Sequence, residues 1–241
     1  MKKRLIAIAV WLLIWELAAR LIDNVILIAG PIDTALSLVN SLGKVSFYMS
    51  VLTSFVRITL GFLAGSTLGM IMGTMSHRWD LFKTFISPFI SLLKTVPVAC
   101  FVVILLVWFG SNWTSFFISM MITLPVLYYS TLKGLENVPK DMLEVRSVYK
   151  MTGFRSFRYI TFPAVHPYLV AAFETAIGMA WKSGVAAEVI GQAQNTLGNS
   201  IYISKIYLDT AGLFSWTIVV VICSFVFEKL FIMLFKSLVR K

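Results

Sequence analysis

Charge is scarce in this sequence. Only 13% of its 241 residues are charged, against roughly 25% in an ordinary soluble domain. That is too little polar surface to cover a water-facing globule of this size, so a soluble fold is excluded. Cysteine is nearly absent. Cys100 and Cys223 both lie in apolar runs, which excludes a disulfide framework and makes them packing residues. The two histidines, His77 and His166, sit near the ends of apolar runs and read as surface residues. They build no metal-ligand cluster and no hydrolytic constellation. No G-x-x-x-x-G-K-[ST] run occurs; the single Gly43-Lys44 pair is followed by Val45. The chain therefore has no phosphate loop of its own for a nucleotide.

Hydrophobic residues are what is abundant. They make up 59% of the chain, and the mean hydropathy is +0.86. A helix needs about 20 mainly apolar residues to cross the roughly 30 Å hydrocarbon core of a bilayer. Six runs meet that length: Leu5–Leu27, Phe47–Met75, Leu81–Phe109, Trp113–Leu132, Ala164–Val189 and Leu213–Leu234. The expected fold is all-α and integral to the membrane, a single domain over residues 1–241 with six transmembrane helices. Pro88 and Pro97 are expected to break the third run into segments. The first run begins Met1-Lys-Lys-Arg4 and has small residues at Ala18 and Ala19, as a signal peptide would. Its length and its Trp11, Trp15 and Glu16 favour a retained span.

The net charge of +10 would suggest nucleic acid in a soluble protein. Here its distribution explains it. With both termini inside, the inner segments hold Lys2, Lys3, Arg4, Arg78, Lys83, Lys133, Lys140, Arg146, Lys150, Arg155, Arg158, Lys236, Arg240 and Lys241. The outer segments hold only Lys44 and Lys205. Such asymmetry sets an N-in, C-in orientation. Two outer segments are long enough to have structure. Pro31–Val45 is expected to form a short surface helix, and the Gly/Asn/Gln-rich Gly191–Gly212 a polar loop across the outer mouth.

Gly61, Gly65, Gly69 and Gly73 recur at steps of four in the second run. They leave one helical face bare, so another helix can approach closely, within the chain or from another subunit. On the inner side, residues 133–163 form a long polar loop. Pro139 suits a helix start. Met142, Leu143, Val145, Val148, Tyr149 and Met151 give the following segment an apolar side, and Gly153 is expected to end it. A basic ramp then leads to Pro163. Such a helix fits a bed of anionic headgroups or a cytoplasmic partner.

Ionisable residues at membrane depth are costly and need a reason. Glu174, Gly178, Trp181, Val185 and Glu188 share one face of the fifth run. That mixture suits a pore-lining or gate surface. Lys182 and Lys94 either pair with a carboxylate or meet an anion; Lys94 lies just before the Thr95-Val-Pro97 break. Arg57 either snorkels or pairs, and Glu16 and Arg20 are spaced to pair with each other.

The inner loop resembles the EAA loop of the permease subunits of bacterial binding-protein-dependent ABC importers. Glu144-Val145-Arg146 stands at its Glu-Ala-Ala, Lys150 at its glycine, and Ile160-Thr-Phe162-Pro163 at its Ile-x-Leu-Pro. Thr95-Val-Pro97 with Leu106-Val-Trp108-Phe109-Gly110 is similar to the nitrate/sulfonate/taurine branch. So are Ser54–Gly61 with Arg57, and Trp181 with Val185-Ala-Ala-Glu188 and Leu197-Gly198. The resemblance implies the type I importer architecture in the bacterial cytoplasmic membrane. It implies a second permease subunit, expected as a second copy, within membrane lipid and with no nucleic acid. It implies cytoplasmic ATPase subunits that bind ATP and Mg, leaving this chain without a cofactor, metal or enzymatic site of its own. It also implies an extracytoplasmic binding protein that delivers a sulfonate, taurine, nitrate or vitamin precursor. Glu144 would be the acidic contact to the ATPase, with Met142, Leu143, Val145, Arg146, Tyr149 and Lys150 around it. Gly153 would supply the bend that Lys150 does not. Independently of the resemblance, Lys94, Pro97 and the Glu174–Glu188 face with Lys182 are the candidate pathway residues. A self-sufficient secondary transporter or a membrane scaffold subunit are the alternative readings.

Overall fold

The computed structural model describes residues 2–22, 24 and 26–237. The side chains of Lys2, Arg4 and Leu5, and the residues Met1, Arg240 and Lys241, lie outside that description. Among the described residues every regular element is a helix: α1 (Lys2–Ile22), α2 (Pro31–Leu42), α3 (Val45–Arg78), α4 (Asp80–Thr95), α5 (Val98–Phe109) and α6 (Ser111–Glu136), followed by α7 (Lys140–Val148), α8 (Gly153–Ser156), α9 (Phe162–Gly191), α10 (Leu197–Ile206) and α11 (Thr210–Ser237). A π turn, Phe157–Thr161, joins α8 to α9. By length and apolarity α3, α6 and α11 are each able to cross a membrane, and α4 and α5 together, bent by 103°, pass the same test as one broken unit.

The glycine stripe organises the centre. A Cβ built on Gly61, Gly65, Gly69 or Gly73 would run into the backbone carbonyl of Phe116, Met120, Leu124 or Tyr128 on α6. The side chains of Ser119, Thr123, Leu127 and Thr131 lie alongside in the same order. Both series climb by four residues, so α3 and α6 run parallel and nearly backbone to backbone. The stripe packs within the chain. The small polar side chains of α6 that face it are buried, including Ser115, Ser119 and Thr123. Small residues of this kind let helices associate in lipid through dispersion contact.

Two parallel helices need a return path, which α4 and α5 supply. At one end Lys83 of α4 meets Glu136 at the end of α6, 2.8 Å apart. At the other, Leu106 of α5 packs against Gly191, where α9 ends. The pair is thus one crossing, broken at Val96-Pro97 because Pro97 has no N–H to continue the helix. The remaining long helices alternate. Gly134 near the end of α6 touches Val165 near the start of α9, while Ser119 donates to the Ala180 carbonyl at 3.2 Å. Lys236 at the end of α11 reaches Glu174 in the first half of α9. Arg78, Lys83, Lys133 and Lys236 consequently lie toward one end of the bundle, and Lys44 and Lys205 toward the other.

An apolar core fills the space between α3, α9 and α11. Phe62 packs edge to face on Phe173, Phe227 and Phe231, and Phe173 on Phe231, with ring centroids 5.0–6.0 Å apart. Peripheral α1 rests on the bundle through Trp15, whose indole N–H donates to the Ala29 carbonyl at 2.9 Å and whose ring lies 5.5 Å from Phe214. Glu16 and Arg20 pair within α1 at 2.8 Å.

Two expectations for the loops are corrected. The Gly191–Gly212 segment contains the ten-residue α10, because Thr196 caps its first turn by accepting from the Asn199 N–H, and because Leu197 and Gly198 are buried. The stretch leading to Pro163 is also helical. Pro163 cannot donate to the carbonyl four residues back, and the chain widens there to a π turn in which the Phe162 N–H bonds to the Phe157 carbonyl.

Candidate functional site

Three regions hold the residues singled out by the sequence. The first is the inner-loop helix. None of the residues of α7 is buried. Met142, Leu143 and Val145 are exposed by 43–49% and Val148 and Tyr149 by 76%. Glu144 and Arg146 are exposed on the same helix. The bend after α7 is made by Lys150 itself, which takes a left-handed backbone with φ +45°. Gly153 does not end this helix. It starts α8 and has open space around it. Ile160 is buried in the π turn and Pro163 is exposed in the first turn of α9.

The second region is the α9 face. It is packed rather than open. Trp181 and Val185 belong to the core, and Trp181 meets Phe55 and Phe227 at 5.7 and 6.4 Å. Glu188 is fully buried. Its carboxylate accepts from the Ser54 hydroxyl at 2.7 Å and from the Gly198 N–H at 3.2 Å, while the Ser54 oxygen accepts from the Leu197 N–H at 2.8 Å. One serine and one glutamate thereby bind the first N–H groups of α10 to α3 and α9. A Cβ on Gly198 would collide with Glu188, so only glycine fits there. Glu174, at the other end of the face, pairs with Lys236 at 3.3 Å, both half-exposed. Within this chain Trp181, Val185 and Glu188 are packed against α3, α10 and α11. Gly178 and Lys182 line a shallow groove along α11 together with Glu228.

The third region is the α4–α5 break. A cavity of about 450 Å³ opens there between α4, α5, α6 and Met179 of α9, lined also by Lys94, Val96, Tyr129 and Ser130. The Lys94 ammonium sits 5.6 Å from the Tyr129 ring centroid and forms no ion pair among the described residues. Tyr129, Ser130 and Met179 had no sequence signal; only the bend brings them to Lys94. The described residues contain no group of three or more His, Cys, Asp or Glu able to hold a metal ion.

Comparison with known proteins matches this architecture. The family model for the inner membrane component of binding-protein-dependent transport systems matches residues 65–241. The Bacillus subtilis protein SsuC, named as an aliphatic sulfonates transport permease, is 24% identical over 220 residues, covering 90% of this chain and 79% of SsuC. The nitrate import permease NrtB of Synechococcus elongatus is 27% identical over 155 residues, 64% of this chain and 55% of NrtB. The bicarbonate transport system permease CmpB of Synechocystis is 27% identical over 145 residues, 59% of this chain and 51% of CmpB. The chain thus spans only about half the length of the latter two. A crystal structure described as an amino acid ABC transporter with histidines shares the fold, with TM-score 0.63 and 20% identity over 85% of this chain and 97% of that one. A bundle of long apolar helices with a family match over most of its length is a transport component rather than an enzyme. The chain belongs to the family of inner membrane components of binding-protein-dependent transport systems, as a permease subunit of an ABC importer.

Proposed function

We propose that two copies of this chain form the membrane pathway of an importer for a small anion. Each copy crosses the bilayer six times with both termini inside. The alternation of α3, the α4–α5 pair, α6, α9 and α11, with α1 as the sixth crossing, supports that count, and the gathering of basic residues toward one end supports the orientation. An extracytoplasmic binding protein delivers the cargo. A cytoplasmic ATPase binds ATP and Mg and supplies the energy. Sulfonate, nitrate and bicarbonate in the names of the relatives support the anionic cargo class.

The single observation that carries the coupling reading is α7. It is a helix with four exposed apolar side chains, a fifth on the Tyr149 that caps it, and no buried residue. Such a patch rimmed by charge suits a protein partner. Glu144 is its acidic contact and Met142, Leu143, Val145 and Tyr149 its apolar one. Ile160 and Pro163 tie the loop to α9, which carries motion into the core.

Glu144→Lys tests this reading. The variant is expected to insert normally, to lose co-purification with the ATPase and to lose ATP-driven uptake. Wild-type uptake in that variant overturns the docking role.

A further inference from the structure

We propose that the cavity at the α4–α5 break is an anion-binding site on the translocation pathway, and that Lys94 is the residue that selects its charge. This rests on the anion-importer reading above and adds to it the place and the chemistry.

The bundle itself indicates how deep the cavity lies. Lys83 and Glu136 mark one end of the bundle, where they pair at 2.8 Å. Lys94 is eleven residues further along α4 and Tyr129 seven residues back along α6. At 1.5 Å per residue these are helix rises of about 16 and 10 Å, well inside a hydrocarbon core of about 30 Å. A full positive charge at that depth is unfavourable unless something compensates it. The nearby side chains do not. Among the described residues, no acidic residue lines the cavity and Lys94 has no ion pair.

What Lys94 does have is the face of Tyr129, with its ammonium 5.6 Å from the ring centroid. A cation–π contact holds an ammonium in place without cancelling its charge. The Tyr129 hydroxyl is itself within 3.5 Å of the Ser91 hydroxyl on α4. The ring is thus fixed from two sides, and the ammonium keeps its net charge toward the cavity. Ser130 adds a hydroxyl to the lining, and Leu93, Val98, Ile122, Val126 and Met179 make the remainder apolar. The arrangement is one cation and two hydroxyls, those of Tyr129 and Ser130, in an open and otherwise mainly apolar cavity large enough for a small solute. It attracts an anion and has no strong acceptor to hold a cation. With few polar partners, binding stays weak enough for release, as a pathway requires.

The other cations within the long helices, exposed Lys182 and half-buried Arg57, fit this role less well than Lys94, which is itself exposed at the cavity mouth. Lys182 lies in a groove that also holds the carboxylate of Glu228. Arg57 stands on α3, whose Ser54 one turn earlier already serves the Glu188 network.

The site can be probed without identifying the cargo. Ser130→Cys in a chain with Cys100→Ser and Cys223→Ser places one thiol on the cavity wall. The assembled importer is treated with a negatively and a positively charged methanethiosulfonate of similar size. With Lys94 present, the anionic reagent is expected to react at least about tenfold faster, since a unit charge within a few ångström acts strongly at the effective dielectric of a protein. Nitrate, used as the probe anion, is expected to slow it. Lys94→Gln is expected to abolish both the preference and the nitrate effect, while Lys94→Arg keeps them. Equal rates with Lys94 present, an unchanged preference in Lys94→Gln, or no labelling by either reagent overturns the site. A Lys94→Gln importer that loses its second permease subunit also overturns it, because Lys94 would then be pairing with that subunit. Failure of the importer reading appears elsewhere, as retained uptake in Glu144→Lys.

Discussion

The Ser54 hydroxyl on α3 donates to the Glu188 carboxylate on α9 at 2.7 Å and accepts from the Leu197 N–H at 2.8 Å. Both side chains are fully buried. Through them the start of α10 is fastened to two core helices, and α10 is thereby held at the end of the bundle opposite the inner loop. Removing one partner of a buried hydrogen bond costs about 1–3 kcal/mol because the other is left unsatisfied. Ser54→Ala is therefore expected to lower the unfolding temperature of the detergent-purified chain. It should also speed amide hydrogen exchange at Leu197 and Gly198 while leaving α6 protected. Unchanged exchange at those two amides would show that the serine does not hold α10.

The glycine stripe gives a paired prediction. A side chain at Gly65 meets the Met120 backbone, which cannot move aside without displacing α6. Gly178, on α9, has nothing within 4 Å of its built Cβ. Overpacking costs about 1–3 kcal/mol, whereas Gly→Ala in an uncrowded helix interior gains up to about 1 kcal/mol. Gly65→Ala should thus melt earlier and Gly178→Ala no earlier than wild type. The reverse order would mean that α3 and α6 are not in close backbone contact.

Much of this was legible in the chain. The apolar runs gave the long helices, the step-of-four glycines gave a close helix contact, and Glu16 with Arg20 gave an ion pair. What the sequence hid follows from contacts distant in sequence. The glycines do not name their partner, because α6 offers an ordinary mix of Ser, Thr and Leu. The partner of Glu188 was hidden because Ser54 lies 134 residues away and carries no signal of that pairing. The Gly/Asn/Gln-rich loop hid α10 because its cap, Thr196, and its buried Leu197 are weak signals beside so many polar neighbours. The Lys94 cavity depends on a 103° bend that Pro97 predicts in place but not in angle.

Glu174 and Lys236 make a half-exposed pair at 3.3 Å. Pairs of that exposure contribute at most about 1 kcal/mol. Glu174→Gln is accordingly expected to shift stability by less than that and to leave uptake intact. Exchange of the two charges, Glu174→Lys with Lys236→Glu, should restore the wild-type melting temperature. Loss of uptake in Glu174→Gln at unchanged stability would place this carboxylate on the pathway instead.

Lys150 occupies the glycine position of the loop pattern and adopts the backbone that glycine favours, with φ +45°. The left-handed conformation costs an L-residue roughly 1–2 kcal/mol because its Cβ crowds the following carbonyl oxygen. Glycine avoids that cost but loses about 0.5–1 kcal/mol of chain entropy on folding. Lys150→Gly should therefore stabilise the α7–α8 connection by a net amount of up to about 1.5 kcal/mol, read as slower hydrogen exchange across residues 140–152. Lys150→Gln separates conformation from charge, since it keeps the Cβ and removes the ammonium; exchange should match wild type. Lys150→Val should loosen the loop, because a β-branched residue tolerates positive φ least. If Gln and Gly have equal effects, the charge of Lys150 rather than its backbone governs the loop.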